Sequence, residues 1–236
     1  NRLLHQLENF PKQFFARIHQ NKELKVVVIS DLHCGHVTGL TPPSFNNKQD
    51  KYFEFRKRGW EWFISMIGKM RPIDILIVNG DAIDGRQEKS GGSELLAGDR
   101  LIQCDMAKTV INSVGARKVY MTYGTPYHVG REEQWEDKIA RDVDAVIKNH
   151  LYLDINGCMF DIRHKTNRSN IPHGRFTSMA RTSMWADLMS GEKKANVIIR
   201  SHIHYHIFGG HSNNRIFMTT PGLQGDSNFG QKEVDG

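Results

Sequence analysis

The pattern that most constrains this chain is a short apolar run that ends in aspartate or histidine, and it occurs repeatedly. Residues 25–29 lead into Ser30-Asp31-Leu32-His33, and residues 73–78 lead into the turn containing Gly80-Asp81-Ala82-Ile83-Asp84-Gly85. Residues 196–200 lead into Ser201-His202-Ile203-His204. Short runs of Ile, Leu and Val bounded by turn formers read as strands covered on both faces. Neighbouring strands bring residues far apart in sequence to one sheet edge. Three strand ends bearing carboxylates and imidazoles therefore predict one polar, metal-type site. With 236 residues, the chain can bury the core such a sheet needs without disulfides or a structural metal.

The rest of the chain alternates in kind. Residues 51–70 read as a helix, with Phe55, Trp62, Phe63, Met66 and Met70 on one stripe before Pro72. Residues 94–114 and 132–148 read as two further helices, with a strand at 118–122 between them. Residues 151–155 and 158–163 flank Asn156-Gly157, a strong two-residue hairpin signal. A helix over 175–189 follows the hairpin; after the 196–200 strand, 207–209 and 216–219 form a closing hairpin. Strand–helix alternation followed by a strand-rich second half predicts a mixed-sheet α/β sandwich in one domain, 1–236. Residues 1–20 place Leu3, Leu7, Phe10, Phe14 and Ile18 on one helical face, predicting an N-terminal helical extension that packs on the domain. Glu8 and Pro11 in that stretch argue against an organelle-targeting peptide. Cys34, Cys104 and Cys158 are odd in number and widely spaced, which suits a reducing compartment such as the cytoplasm and excludes a disulfide framework.

Asp31 and His33 lie two apart, so on an extended segment both would point the same way and could grip one ion. Asp81 and Asp84 share a turn, and two carboxylates so close need a cation or a proton between them. His202 and His204 would share a face on a strand, or turn to separate ions in a loop; His206 continues the alternation. The strand at 118–122 leads to Gly124-Thr125-Pro126-Tyr127-His128, and the strand at 158–163 leads to His164. Oxygen and imidazole donors without thiolates suit manganese, iron or zinc better than a structural zinc site.

The order of these motifs (Asp-x-His, Gly-Asp-x-x-Asp, a Gly-x…His segment, an isolated His, x-His-x-His, then Thr220-Pro221-Gly222) resembles the calcineurin-like metallophosphoesterases. The resemblance implies that family's four-layer α/β/β/α sandwich of two mixed β-sheets flanked by helices. It implies a metal-dependent phosphoester hydrolase with two divalent ions, manganese foremost, with iron, zinc or magnesium as alternatives. Carried over by motif, Asp31, His33 and His204 would hold the first ion, His164 and His202 the second, and Asp81 would bridge both. His128 would be the catalytic histidine, paired with Asp84. Two departures stand out: Thr125 occupies the place of an Asn ligand, and Ser201 occupies the place of a Gly.

Lys and Arg total 32 against 26 Asp and Glu, a formal +6, which favours anionic partners. Together with the resemblance, this points first to phosphodiesters, nucleic acid included, with no membrane partner. The alternatives are a phosphomonoesterase acting on a protein, nucleotide or small metabolite, and a non-catalytic, metal-stabilised binding module. Arg86, Lys89, Arg131, Arg168 and Arg175 could hold substrate phosphate but read more simply as solvated surface charge.

Overall fold

The computed structural model describes residues 14–130, 134–169, 171, 174–189, 194–211 and 215–226. Among these, the strands are β1 (Phe14–Ile18), β2 (Val26–Ile29), β3 (Ile75–Asn79), β4 (Lys118–Thr122), β5 (Val146–Lys148), β6 (Leu151–Ile155), β7 (Cys158–Ile162), β8 (Val197–Arg200), β9 (Ile207–His211) and β10 (Arg215–Thr219). The helices are α1 (Phe53–Met70), α2 (Arg100–Val114), α3 (Pro126–Val129), α4 (Trp135–Asp142) and α5 (Gly174–Met189).

Strands β2-β3-β4-β5 form one sheet, parallel throughout, and β1-β6-β7-β8-β10-β9 form a second, mixed sheet. The alternation of side chains decides the layers. On β3, Ile75 and Ile77 face Leu151, Leu153, Ile155, Ile162, Val197 and Ile199 of the other sheet. On the same strand, Leu76 and Val78 face outward and pack with Phe63 and Ile67 of α1 and Met106, Ala107 and Val110 of α2. The run is apolar without a break because both of its faces are covered. Beyond the mixed sheet, Ile198 and Phe217 pack with Met179 of α5. The order is therefore helices, sheet, sheet, helix: the expected four-layer α/β/β/α sandwich. No helix among the described residues is long and apolar enough to cross a membrane.

Three element expectations need correction. Helix α2 begins at Arg100 instead of residue 94, because Asp99 caps it, its side chain accepting from Leu101 N at 2.8 Å. Residues 132–148 are not one helix. Asp144 takes a left-handed φ of 51° after α4, and Val146–Lys148 joins the β4 edge as β5, where β-branched residues gain pairing that a helix end cannot offer. Phe14–Ile18 is a strand parallel to β6, not part of a helix; the open edge of that sheet outweighs the helical stripe. The remainder of the expected N-terminal helix, residues 1–13, lies outside the described residues. The Asn156-Gly157 hairpin forms as expected, with both residues at positive φ.

Strands β2, β3 and β4 run parallel, as do β7 and β8, so five carboxyl ends point to one edge. This is where α/β sheets place their ligand sites.

Candidate metal centre

At that edge the backbone leaves regular structure abruptly. Asp31, His33, Asp81, His202 and His204 all take left-handed φ values, between 42° and 75°. Such conformations cost ~1–3 kcal/mol each for residues other than glycine and persist where the surrounding structure over-determines them. The resulting kinks separate residues that an extended chain would keep together. His202 and His204, two apart, turn into different clusters: Asp31, His33 and His204 converge in one, and Asp81, His164 and His202 in another. In each cluster the ligand atoms lie within 4.8 Å of one another.

The first cluster has the electronic arrangement of a metal site. His33 is fully buried, and its Nδ1 lies 3.1 Å from Asp84 Oδ1, which fixes that nitrogen as the donor and leaves the Nε2 lone pair free. Burial, then the positive charge of His128, push His33 down to about 4, so the ring stays neutral. Its Nε2 faces His204 Nε2 at 3.1 Å. Asp31 Oδ1 is buried without a hydrogen bond, 3.4 Å from His204 Nε2 and 4.0 Å from His164 Nε2. An orphaned carboxylate oxygen aimed at imidazole nitrogens is the donor set a divalent cation completes.

In the second cluster, His164 Nδ1 donates to Asn79 O at 2.7 Å, so Nε2 faces Asp81 Oδ2 at 2.9 Å. His202 Nδ1 lies 3.8 Å from the same oxygen. Burial alone would depress His164, but the charge and hydrogen bond of Asp81 and the charge of Asp31 outweigh it and push His164 up to about 10. Burial also works to raise Asp81, yet His164 and His128 hold it well below the usual carboxylate range. The proton on His164 thus balances the carboxylates that a divalent ion would balance. The residues of each cluster are a donor set capable of coordinating a divalent ion.

Asp84 does more than the expected pairing with His128. Its Oδ1 reaches His33 as well as His128 Nδ1, the latter at 3.5 Å, and its Oδ2 accepts from Gln87 Nε2 at 2.6 Å. His128, on α3, donates Nδ1–H to the Asp84 carbonyl at 2.8 Å and lies beside His33, ring centroids 4.5 Å apart. It clusters with His33 and Asp84, not with the second triad. Thr125 does not offer itself as a stand-in for the family's Asn. Its N–H and hydroxyl donate to Asp81 Oδ1 at 2.6 and 3.1 Å, so it steadies the carboxylate of the second cluster. His36 accepts from Thr38 N at 3.0 Å, and His206 donates to Thr219 O at 2.8 Å; neither joins a triad.

Several positioning residues carry no signal of their own in the sequence. Asn79 closes β3, accepts from Thr122 Oγ1 at 2.6 Å and donates to Ser201 Oγ at 2.5 Å and Arg163 O at 3.1 Å, joining the two sheets. Ser201, Thr220 and Ser30 continue that chain at 2.6 Å per step into Asp31 Oδ2. Ser201 in place of Gly thus adds hydrogen bonding beside the clusters. Glu136 of α4 accepts from Ala82 N at 3.0 Å and Gly124 N at 2.7 Å, pinning together the loops that follow β3 and β4. Gly124 leaves room for Asp81: a Cβ there would overlap Asp81 Oδ1 and its backbone nitrogen. Gly124→Ala should accordingly strip metal from the second cluster while the protein stays folded, measured by elemental analysis of manganese-loaded protein alongside circular dichroism.

The clusters open into one cavity of about 1170 Å³. Lys89, with its ammonium 5.6 Å from the Tyr127 ring, and Arg168 line it. Arg86 and Arg175 are exposed, Arg175 stacking over Tyr205 at 4.7 Å; Arg131 lies outside the described residues.

No family model matches the sequence, and no curated protein matches it. Among solved structures the chain is similar to an archaeal phosphodiesterase, at 12% identity over 84% of each chain with a TM-score of 0.47. It is similar to Vps29 complexed with Zn²⁺ from Entamoeba histolytica, at 14% identity over 84% of this chain and 73% of that one, TM-score 0.44. It is also similar to phosphopantetheinyl hydrolase from Mycobacterium tuberculosis, at 11% identity over 85% and 90%, TM-score 0.41. The two-sheet sandwich, with paired His/Asp triads at its strand ends, has the architecture that the motif resemblance to the calcineurin-like metallophosphoesterases implies.

Proposed function

We propose that this chain is a metal-dependent phosphoric ester hydrolase acting first on phosphodiesters, those of nucleic acid included. The observation carrying this reading is the pair of triads, Asp31–His33–His204 and Asp81–His164–His202, with His128 held at their side. These residues would hold two divalent ions, which would supply Lewis-acid activation of water and neutralise charge on the phosphoryl oxygens. Manganese is the ion proposed first, with iron, zinc or magnesium to be tested beside it. Asp81, steadied by Thr125, would be the carboxylate shared by the two positions. His128, held through Nδ1 by the Asp84 carbonyl, keeps Nε2 toward the cavity to protonate the leaving oxygen.

Thr125 favours keeping a second reading, a metal-stabilised binding module. Turned onto Asp81, it leaves the second triad without the amide carbonyl that the family pattern supplies. Protein stripped of metal and reloaded with manganese, iron, zinc or magnesium should separate these readings on bis-p-nitrophenyl phosphate and p-nitrophenyl phosphate. The proposal expects manganese-dependent turnover with kcat/KM for the diester higher by at least ~10-fold, about 1.4 kcal/mol at the transition state. A preference for the monoester would make the chain a phosphomonoesterase. Metal binding without turnover of either ester would make it a binding module.

A further inference from the structure

The cavity does not stop at the triads. It continues around the end of the mixed sheet to its outer face, where Arg163, Lys165 and Arg200 line it. The strand register explains why two guanidinium groups meet there. Strands β7 and β8 pair in parallel through Asp161↔Ile198 and Ile162↔Ile199, and one step further places Arg163 opposite Arg200. Ile162 and Ile199 point into the core between the sheets, so the residues on either side of them, Asp161, Arg163, Ile198 and Arg200, point outward.

Arg200 is built in rather than draped on the surface. It is 4% exposed, and its Nη1 donates to the carbonyls of Asp161 at 3.0 Å and Ile199 at 2.7 Å and lies 2.9 Å from Asp161 Oδ1. Among the described residues its hydrogen bonds all run through Nη1, so the rest of the fork borders the cavity. Asp161 is itself held by His150 Nε2 at 2.8 Å. Arg163 is exposed and reaches the Tyr152 hydroxyl. Arg163, Lys165 and Arg200 thus line a wall that holds one carboxylate, Asp161, leaving an excess of positive charge beside a guanidinium that is already immobilised. A pre-ordered fork recognises phosphate oxygens with little further loss of side-chain entropy.

This wall is set back from the metal positions. Arg163 directly precedes His164, yet the two point to opposite faces of the sheet: His164 turns inward to Asn79 O and Asp81 Oδ2, and Arg163 outward. The two guanidinium groups therefore lie around the end of the sheet from the triads, and the shared cavity of about 1170 Å³ has room for a spacer the size of a sugar.

We infer that Arg163 and Arg200 form a subsite for a second phosphate group of the same substrate, separated from the scissile phosphate by a nucleoside-sized unit. The inference rests on the phosphodiesterase reading and narrows it to substrates that carry phosphate beyond the bond being cut.

The test compares kcat/KM of the manganese-loaded protein on dTpdT, pdTpdT and dTpdTp. One terminal phosphate should raise kcat/KM by ~10- to 100-fold, the range of one or two charge-assisted hydrogen bonds. Arg163→Gln should remove most of that gain, read as the ratio between the phosphorylated and plain dinucleotides. Arg200→Gln should remove it too, but it takes away the buried ion pair of Asp161 and is the riskier fold; the exposed Arg163 keeps the test decisive. Hydrolysis of dTpdT with no gain from either terminal phosphate would overturn the subsite, as would a gain that survives Arg163→Gln. If no ester is cleaved, the phosphodiesterase reading fails, and calorimetry still decides the subsite. Metal-loaded protein should bind thymidine 3′,5′-bisphosphate at least ~10-fold more tightly than thymidine 5′-phosphate, with the difference lost in Arg163→Gln. Equal affinities would overturn it.

Discussion

Asp81→Asn is expected to lower phosphoester hydrolysis by at least ~10³-fold and to deplete metal at both positions. Asp81 belongs to the second cluster, and the proposed role adds a bridge to the first: Oδ2 faces His164 and His202, while Oδ1 accepts from Thr125. An amide of the same shape keeps the fold but removes the charge that offsets two ions, and it presents an NH₂ where a ligand oxygen is required. Asp84→Asn should behave differently. Asp84 touches the nitrogens of His33 and His128 that face away from the proposed ion. Its loss should free the His33 tautomer and weaken the first metal position by ~10–100-fold, with the second position still loaded. Elemental analysis and turnover on the same preparations check both statements. Equal metal loss at both positions in the two variants would make Asp84 a ligand in its own right.

His128→Asn is expected to depress kcat by ~10²–10⁴-fold on a diester with a poor leaving group, such as dTpdT, and much less on bis-p-nitrophenyl phosphate. The difference follows from the proposed role. A nitrophenolate departs without a proton, whereas a ribose-type alkoxide needs one, and the Nε2 of His128 is the group turned toward the cavity to provide it. Metal content should be unchanged, because His128 lies in neither triad. Equal losses on both substrates accompanied by metal loss would show that His128 binds the ion. Activity intact on both substrates would move the role elsewhere, with the buried His36 on the cavity wall the next residue to test.

Much of the architecture was legible because its signals are local. The unbroken apolar character of Ile75–Val78 marks a strand with two covered faces, and Asn156-Gly157 marks a hairpin through its tolerance of positive φ. The errors fell where local preference was weak or outbid. The 132–148 stretch carries a helical pattern throughout, yet its end gains more by joining β4 as an edge strand. The stripe that includes Phe14 and Ile18 suits a helix, yet an open edge beside β6 takes the segment as a strand. Neither sheet edge is visible from the segment's own residues.

Local patterning alone selects the residues that gather at the sheet edge. Asp31, His33, Asp81, His164, His202 and His204 all follow short runs whose strand character is set by nearest-neighbour patterning, and parallel strands deliver their carboxyl ends to a common edge. How those residues divide, and what holds them, follows from contacts between distant segments. Left-handed kinks at His202 and His204 send two neighbours to different clusters. Thr125 is committed to Asp81, Asp84 to both His33 and His128, and Ser201 to a hydroxyl chain running from Asn79 to Asp31. Arg163 and Arg200, read as ordinary strand-end residues, become one wall only when β7 and β8 align. Each of these outcomes depends on the register between strands and on two sheets packing face to face. Those long-range contacts form jointly, and no single segment encodes them.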